Sequence, residues 1–375
     1  MIITRKAENL IANNFFKKKA ILILGARQVG KTTLVKKLME KSKYHYLWLN
    51  GDEADVRAIF KDATSSKLRS LIGKNKIVIL DEAQRIENIG ICLKLLVDNF
   101  SDIQVIATGS SSFELANKIN EPLTGRKIEY FLFPFSFGEM VDYHGILEEK
   151  RMLENRMIYG YYPDIVTAKE GRIELLKQLA DSYLYKDILI WEKIQKSEKL
   201  ERLVQALAFQ IGSEVSYLEL GQMTGLDNET TEKYLTLLEK AFIVFRLGSF
   251  SRNLRNELKK SRKFYFFDNG IMNAVVNNFN SLQLRNDVGA LWENFIISER
   301  IKFLHYNRIF ANRYFWRTYQ QNEIDYLEER DGKLFAFEFK WNSKSKRKFP
   351  KLFERTYPES HNEIITRDDF ETFIT

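Results

Sequence analysis

An eight-residue run near the start of the chain, Gly25-Ala26-Arg27-Gln28-Val29-Gly30-Lys31-Thr32, leaves the first third of this protein little choice of fold. It satisfies G-x4-G-K-[ST] at every position. It also lies between Ala20–Leu24, a short apolar run of buried-strand type, and Thr33–Glu40, where Leu34, Val35 and Leu38 recur at helical spacing. The residue types have physical reasons. Glycines let the backbone close round a phosphate with its N–H groups turned inward. Lys31 supplies a cation for the β- and γ-phosphates, Thr32 a hydroxyl for Mg²⁺, and the following helix its positive N-terminal end. The spacing predicts a cradle for ATP lined by Gly25, Ala26, Arg27, Gln28, Val29, Gly30, Lys31, Thr32 and Thr33.

About fifty residues beyond Lys31, the apolar stretch Lys76–Leu80 ends in Asp81-Glu82. A strand ending this way beside a phosphate loop places Asp81 to hold Mg²⁺, with Thr32, and Glu82 to polarise an attacking water. An acidic helix cap would look the same in isolation; the loop upstream favours the catalytic pair. Strands expected at Tyr44–Leu49, Gln104–Ala107 and Lys127–Phe133, with a helix at Ile89–Phe100, complete the strand–helix alternation of a parallel sheet. Thr108-Gly109-Ser110 follows the fourth strand, so Thr108 and Ser110 are either γ-phosphate sensors or a polar turn. Arg126, just before the fifth strand, is either functional or a solvated turn residue.

Four segments together, Gly25–Thr32, Asp81-Glu82-Ala83-Gln84-Arg85, Thr108-Gly109-Ser110-Ser111 and Leu123-Thr124-Gly125-Arg126, resemble prokaryotic AAA+-type ATPases. These are ATP-binding proteins whose C-terminal half is a domain of unknown function. Phe133-Pro134-Phe135-Ser136-Phe137 fits the same pattern, whereas Gly160-Tyr161-Tyr162-Pro163 stands where the family has Gly-Gly-Tyr-Pro. The resemblance implies ATP hydrolysis in a homo-oligomer, with Arg126 reaching a neighbour's nucleotide as a trans-acting arginine finger. It also implies a helical lid, for which residues 146–195 qualify through Leu175, Leu176, Leu179, Tyr183 and Leu184; Lys186 and Arg156 are the candidates for a second sensor. The likeness spans nearly the whole chain, but its specific motifs fall in the first third.

Further along, Leu200, Leu203, Val204, Leu207 and Ile211 mark a helix stopped by Gly212, Ser216–Glu219 opens a short helix closed by Gly225, and a third helix starts near Glu229. Strands at Phe242–Leu247 and Lys263–Phe267 then suit a winged helix. Its expected wing, Ser251–Lys263, carries Arg252, Arg255, Lys259, Lys260, Arg262 and Lys263 against Glu257. That is either a surface for double-stranded DNA or a solvated charge run.

The last third holds a second constellation. Glu293 has small and apolar neighbours on one face of a helix expected at Gly289–Leu304. Asp325 lies in an alternating strand, Glu323–Leu327, and Glu338 and Lys340 share a face of Leu334–Lys340. Asp, Glu and a Lys two residues on, with a helix acid, resemble the PD-(D/E)XK nucleases. That resemblance implies Asp325 and Glu338 on Mg²⁺, Lys340 at the attacking water and Glu293 completing the set. Each element alone is a common solvated edge.

At about 150 residues per domain, 375 residues suggest two or three domains. The expected α/β architecture is a P-loop NTPase sheet at 1–145, a helical lid at 146–195, a winged helix at 196–263 and a restriction-endonuclease-like domain at 264–375. Cys92 is the sole cysteine, no run of about 18 apolar residues occurs and no secretory h-region opens the chain, so a cytoplasmic protein without membrane contact is expected. The net charge of +8 admits an anionic partner. Two functional expectations follow. Either ATP hydrolysis drives a DNA-engaging, nuclease-like half, or ATP switches a scaffold whose C-terminal half binds a protein partner and does not cleave.

Overall fold

The strands Ala20–Leu24 (β1) and Ile77–Asp81 (β3) are buried at every position, as unbroken apolar runs are when helices cover both faces of a parallel sheet. The computed structural model describes residues 3–109, 123–182, 197–251, 262–318, 320–342 and 349–375. They form two units, Ile2–Pro134 with Lys240–Phe242, and Phe135–Glu239 with Ile243–Thr375.

In the first unit, β1 and β3 join Tyr46–Asn50 (β2), Gln104–Gly109 (β4) and Lys127–Phe131 (β5) in a five-stranded parallel sheet ordered β2-β3-β4-β1-β5. This order sets the C-terminal ends of β1, β4 and β3 side by side, which brings Gly25, Thr108 and Asp81 to one edge. The crevice outside those ends is where open α/β sheets bind ligands. The helix after the loop spans Lys31–Glu40, and that after β3 spans Ile89–Asn99. The fifth strand stops at Phe131, short of the expected Phe133.

The second unit contains a seven-stranded sheet. Its strands are Glu214–Val215 (β6), Val244–Ser249 (β7), Arg262–Phe266 (β8), Asn312–Arg317 (β9), Glu323–Arg330 (β10), Lys333–Lys340 (β11) and His361–Thr366 (β12), ordered β12-β11-β10-β9-β7-β8-β6. The three expected helices are present at Ser197–Phe209, Tyr217–Thr224 and Asn228–Lys240. Ser216 caps the second through the Glu219 N–H, and Gly225 (φ 68°) ends it in the left-handed conformation glycine favours.

Two expected boundaries need correction. A break between 263 and 264 would cut β8, and the β7–β8 hairpin pairs onward with β9, Gly248 opposite Tyr314 and Ser249 opposite Phe315. The segments expected as a winged helix and as a nuclease-like domain therefore share one sheet, which covers the hairpin edge that a free-standing winged helix would expose. Nor do residues 146–181 stand alone as a lid. The helices Leu153–Tyr159 and Asn269–Val275 are tied by Asn269 and Asn273 Nδ2, which donate to the carbonyls of Met157 and Ile158 (2.8–3.2 Å). Asp268 accepts the Tyr161 N–H at 2.7 Å, and a Cβ at Gly270 would lie 2.2 Å from the Tyr159 carbonyl oxygen, so only glycine fits. The helical segment is thus built into the C-terminal half.

Candidate functional site

At Gly25 an added Cβ would come within 2.1 Å of the Leu132 carbonyl oxygen, so the loop leaves β1 against the chain that follows β5. Gly30 (φ 92°) and Gln28 (φ 57°) take left-handed conformations, which curl the loop before the Lys31–Glu40 helix begins. Lys31 is buried and folds back, Nζ donating to the carbonyls of Gly25 (2.9 Å) and Ala26 (2.7 Å). Its ammonium is thereby held over the concavity that Gly25–Thr32 encloses, while Thr33 follows in the first helical turn.

The acidic end is set by β3 and β4. Thr32 Oγ1 donates to Asp81 Oδ2 at 3.0 Å, and the Thr108 hydroxyl donates to Asp81 Oδ1. Thr108 Oγ1 also accepts the Glu82 N–H at 3.1 Å. Thr108 is fully buried inside β4, so the polar-turn reading does not apply to it. Glu82 has a left-handed backbone (φ 50°), uncommon for a residue with a side chain, and a Cβ on Gly51 would meet its carbonyl oxygen at 2.4 Å. Gln84 Nε2 donates to Glu82 Oε2 at 2.5 Å and sets the carboxylate's direction. A hydroxyl and a carboxylate oxygen 3.0 Å apart are hard donors suited to Mg²⁺, which completes its shell with water and phosphate oxygens. Ser110 and Ser111 lie outside the described residues.

Arg126 sits at the opposite edge of the sheet. Its carbonyl accepts the N–H of Ala20, the first residue of β1, and its half-exposed guanidinium pairs with Asp98 at 2.6 Å. Strand residues advance about 3.3 Å each, so the length of β1 separates Arg126 from the phosphate loop of its own chain.

The C-terminal acids also meet. Lys340 Nζ lies 2.8 Å from Glu338 Oε2 and 3.4 Å from Asp325 Oδ2, and Asp325 Oδ2 accepts the Phe339 N–H at 2.8 Å. Tyr265 donates to Glu293 Oε1 at 2.6 Å, and Lys263 lies 3.6 Å from that oxygen while donating to Glu323. Burial, with Asp325 nearby, pushes the Glu293 carboxyl up to about 7 despite the opposing pull of Lys263. Burial alone would lower the Lys263 ammonium, but Glu293, Glu323 and Asp325 outweigh it and hold it above its ordinary value. Gly212 (φ 73°) sits over the Glu293 carboxylate, where a Cβ would come within 3.3 Å. Among the described residues, no three or more His, Cys, Asp or Glu side chains are arranged to hold a metal. Lys340 instead bridges the two carboxylates expected to do so, and Asp325 and Glu338 do not fit a metal in this arrangement.

Lys263 and Arg156 differ from their expected roles. Lys263 is no wing cation but a buried partner of acids. Arg262 lies over the Tyr217 ring at 4.8 Å, while Arg252, Arg255, Lys259 and Lys260 lie outside the described residues, as do Lys186, Tyr183 and Leu184. Arg156 is buried and paired with Glu149 at 2.9 Å. Arg5, Gln84, Tyr265 and Glu323 were not singled out from sequence. For Lys263 and Tyr265 the signal was available, as alternate positions in the aromatic strand Lys263-Phe264-Tyr265-Phe266. Arg5 carries no such mark.

Comparison with known proteins divides the chain into three segments. Residues 17–141 match the AAA domain family, 150–282 a domain of unknown function (DUF8612) and 288–371 another (DUF4143). An uncharacterized protein of Mycobacterium tuberculosis is 26% identical over 331 residues, covering 86% of this chain and 70% of the relative. An uncharacterized protein of Methanocaldococcus jannaschii is 24% identical over 394 residues, covering 95% and 86%. Among solved structures, a signal transduction ATPase with numerous domains from Pyrococcus horikoshii, bearing a tetratricopeptide repeat sensor, aligns with TM-score 0.32 at 11% identity over 82% of this chain. This chain spans about half (48%) of that protein, and so low a score has no bearing on function. The AAA-domain match and the parallel sheet with its loop support a P-loop ATPase core. No helix of the described residues is long and apolar enough to cross a membrane.

Proposed function

We propose that this protein hydrolyses ATP to ADP and phosphate. The observation that carries the reading is the chain Thr32–Asp81–Thr108–Glu82, linked by hydrogen bonds at the mouth of the phosphate loop. The inward N–H groups of the loop and Lys31 bind the phosphates, Thr32 and Asp81 hold Mg²⁺, and Glu82, directed by Gln84, takes the proton of the attacking water. Mg²⁺, when bound, offsets phosphate charge. Arg126, at the far sheet edge, serves the nucleotide of a neighbouring copy in a homo-oligomer. Glu82→Gln is the test: it should bind ATP normally and turn it over about 10²–10⁴ times more slowly.

The hydrolysis cycle acts on the C-terminal half, which we read as DNA-engaging and nuclease-like because Glu293, Asp325, Glu338 and Lys340 belong to one charged cluster; on this reading Lys340 leaves Asp325 and Glu338 before they take a cation. The second reading is a non-cleaving platform for a protein partner. It is favoured by Lys340, which already neutralises Asp325 and Glu338. Asp325→Ala separates the two. Loss of Mg²⁺-dependent cleavage of double-stranded DNA supports the nuclease, and absence of cleavage in the wild type supports the platform.

A further inference from the structure

Arg5 is a charged residue, yet it is almost wholly buried. Its guanidinium reaches two carbonyl oxygens far apart in sequence. One nitrogen donates to Val29 O and another to Phe133 O, each at 2.7 Å. Val29 is the loop residue before Gly30. Phe133 is the residue before Pro134, where the first unit ends.

The first contact bears on phosphate binding through the geometry of one peptide. In a trans peptide the C=O and the following N–H point in opposite directions. Arg5 holds the Val29 carbonyl on its own side, so the Gly30 N–H must face away from Arg5. Gly30 (φ 92°) tolerates that orientation, and Arg5 Nη1 lies 3.7 Å from where a Cβ at Gly30 would stand. The orientation of this loop amide is thus fixed before any anion arrives.

The second contact ties the same guanidinium to the end of the unit. Leu132 N–H donates to Leu24 O at 2.7 Å, and Leu132 O closes on Gly25. The segment 132–133 therefore touches the loop at both ends, directly at Gly25 and through Arg5 at Val29. The arginine's own backbone is held as well. Lys37 donates to Ile3 O at 2.9 Å and Lys41 pairs with Glu8, so the helix that the loop feeds and the residue that caps its end grip the N-terminal segment on either side of Arg5. A planar, permanently charged fork suits this double duty, and a lysine ammonium on a single flexible stem does not reproduce it.

We infer that Arg5 is a positioning residue for the phosphate loop, fixing the Val29–Gly30 peptide for phosphate and coupling it to the exit segment at Phe133. This rests on the nucleotide reading of the loop. Its test uses the full chain, with ATP affinity measured in Mg²⁺ and amide hydrogen exchange followed over residues 126–133. Wild type, Arg5→Lys, Arg5→Gln and Arg5→Ala are compared, with Lys31→Ala as the reference for a disabled loop. All are measured below their own melting temperatures.

In the wild type, ATP should slow exchange in 126–133. Arg5→Gln and Arg5→Ala should bind ATP about tenfold to a hundredfold more weakly, as expected for lost hydrogen bonds from a charged donor. Their exchange in 126–133 should not respond to saturating ATP. Arg5→Lys, able to reach one carbonyl at a time, should fall between. A purely structural role would lower the melting temperature of Arg5→Gln but leave both readouts of the folded protein at wild-type values, and that result overturns the proposal. If Arg5→Ala does not fold, the Lys and Gln variants carry the test. Failure of the wild type itself to bind ATP overturns the nucleotide reading and this inference with it.

Discussion

The two acidic centres of this molecule hold their carboxylates by opposite means. At the end of β3, Asp81 is held by hydroxyls, those of Thr32 and Thr108. At β10 and β11, Asp325 and Glu338 are held by an ammonium, that of Lys340. A hydroxyl orients a carboxylate and leaves its charge to offer, whereas an ammonium neutralises it. Asp81 is therefore prepared for a cation, and the Asp325–Glu338 pair has to lose Lys340 before it can take one. The same residue type in a strand end thus has different chemical standing according to its nearest donor.

The largest effects should fall on the hydroxyl-held centre. Asp81→Asn keeps the shape but removes the charge, and should cut Mg²⁺-dependent turnover by about 10²–10³, comparable to losing one preorganised electrostatic group. Phosphate release over a Mg²⁺ titration measures it; an unchanged Mg²⁺ dependence would break the contrast. Lys340→Met should destabilise the protein by about 3–5 kcal/mol in chelator, because it removes the ammonium that the buried Glu338 and Asp325 both face. Mg²⁺ or Mn²⁺ should then recover part of the lost melting temperature. No recovery would mean that the C-terminal centre is an ion-pair network and not a latent cation site.

A smaller effect concerns pH. Glu293, raised to about 7 in the fold from its ordinary value of 4.5, binds a proton more readily folded than unfolded. Its burial therefore costs nothing below the unfolded value, and the penalty grows as pH rises through 4.5–7. Glu293→Gln should accordingly gain about 1–3 kcal/mol relative to wild type between pH 5 and pH 8 in denaturant titrations. A pH-independent difference would remove Glu293 from the cluster's electrostatics. Least affected should be the stability of Arg126→Ala, since its pair with Asp98 is half-exposed; such pairs contribute about 0–1 kcal/mol. A melting shift beyond a few degrees would assign Arg126 a structural role in place of the one proposed between copies.

These centres also differ in how far they could be read beforehand. Gly25–Thr32 and Asp81-Glu82 are contiguous, and the backbone conformations they need are encoded where they stand. Strand order then completed the site by placing β4 between β1 and β3, so that Thr108 reaches Asp81. The C-terminal cluster draws on Gly212, Lys263, Tyr265, Glu293, Glu323, Asp325, Glu338 and Lys340, and only tertiary structure brings such residues together. Asp325, Glu338 and Lys340 were legible because a two-residue period puts them on neighbouring strand faces. Lys263 was misread as a surface cation because charge in sequence says nothing of burial. The shared sheet was missed for want of β9, whose Asn312–Arg317 begins with polar residues and is buried only at Phe315 and Trp316. Arg5 was invisible because its partners are main-chain carbonyls, which leave no trace in a side-chain pattern.

The central claim is that the hydroxyl-held Asp81 and the adjoining Glu82 make this a working ATPase. Its most direct test is steady-state phosphate release from ATP with Mg²⁺, comparing wild type with Glu82→Gln at saturating nucleotide, each shown to bind ATP. The account predicts equal binding and turnover lower by about a hundredfold or more in the variant. Equal turnover in the two proteins would contradict it.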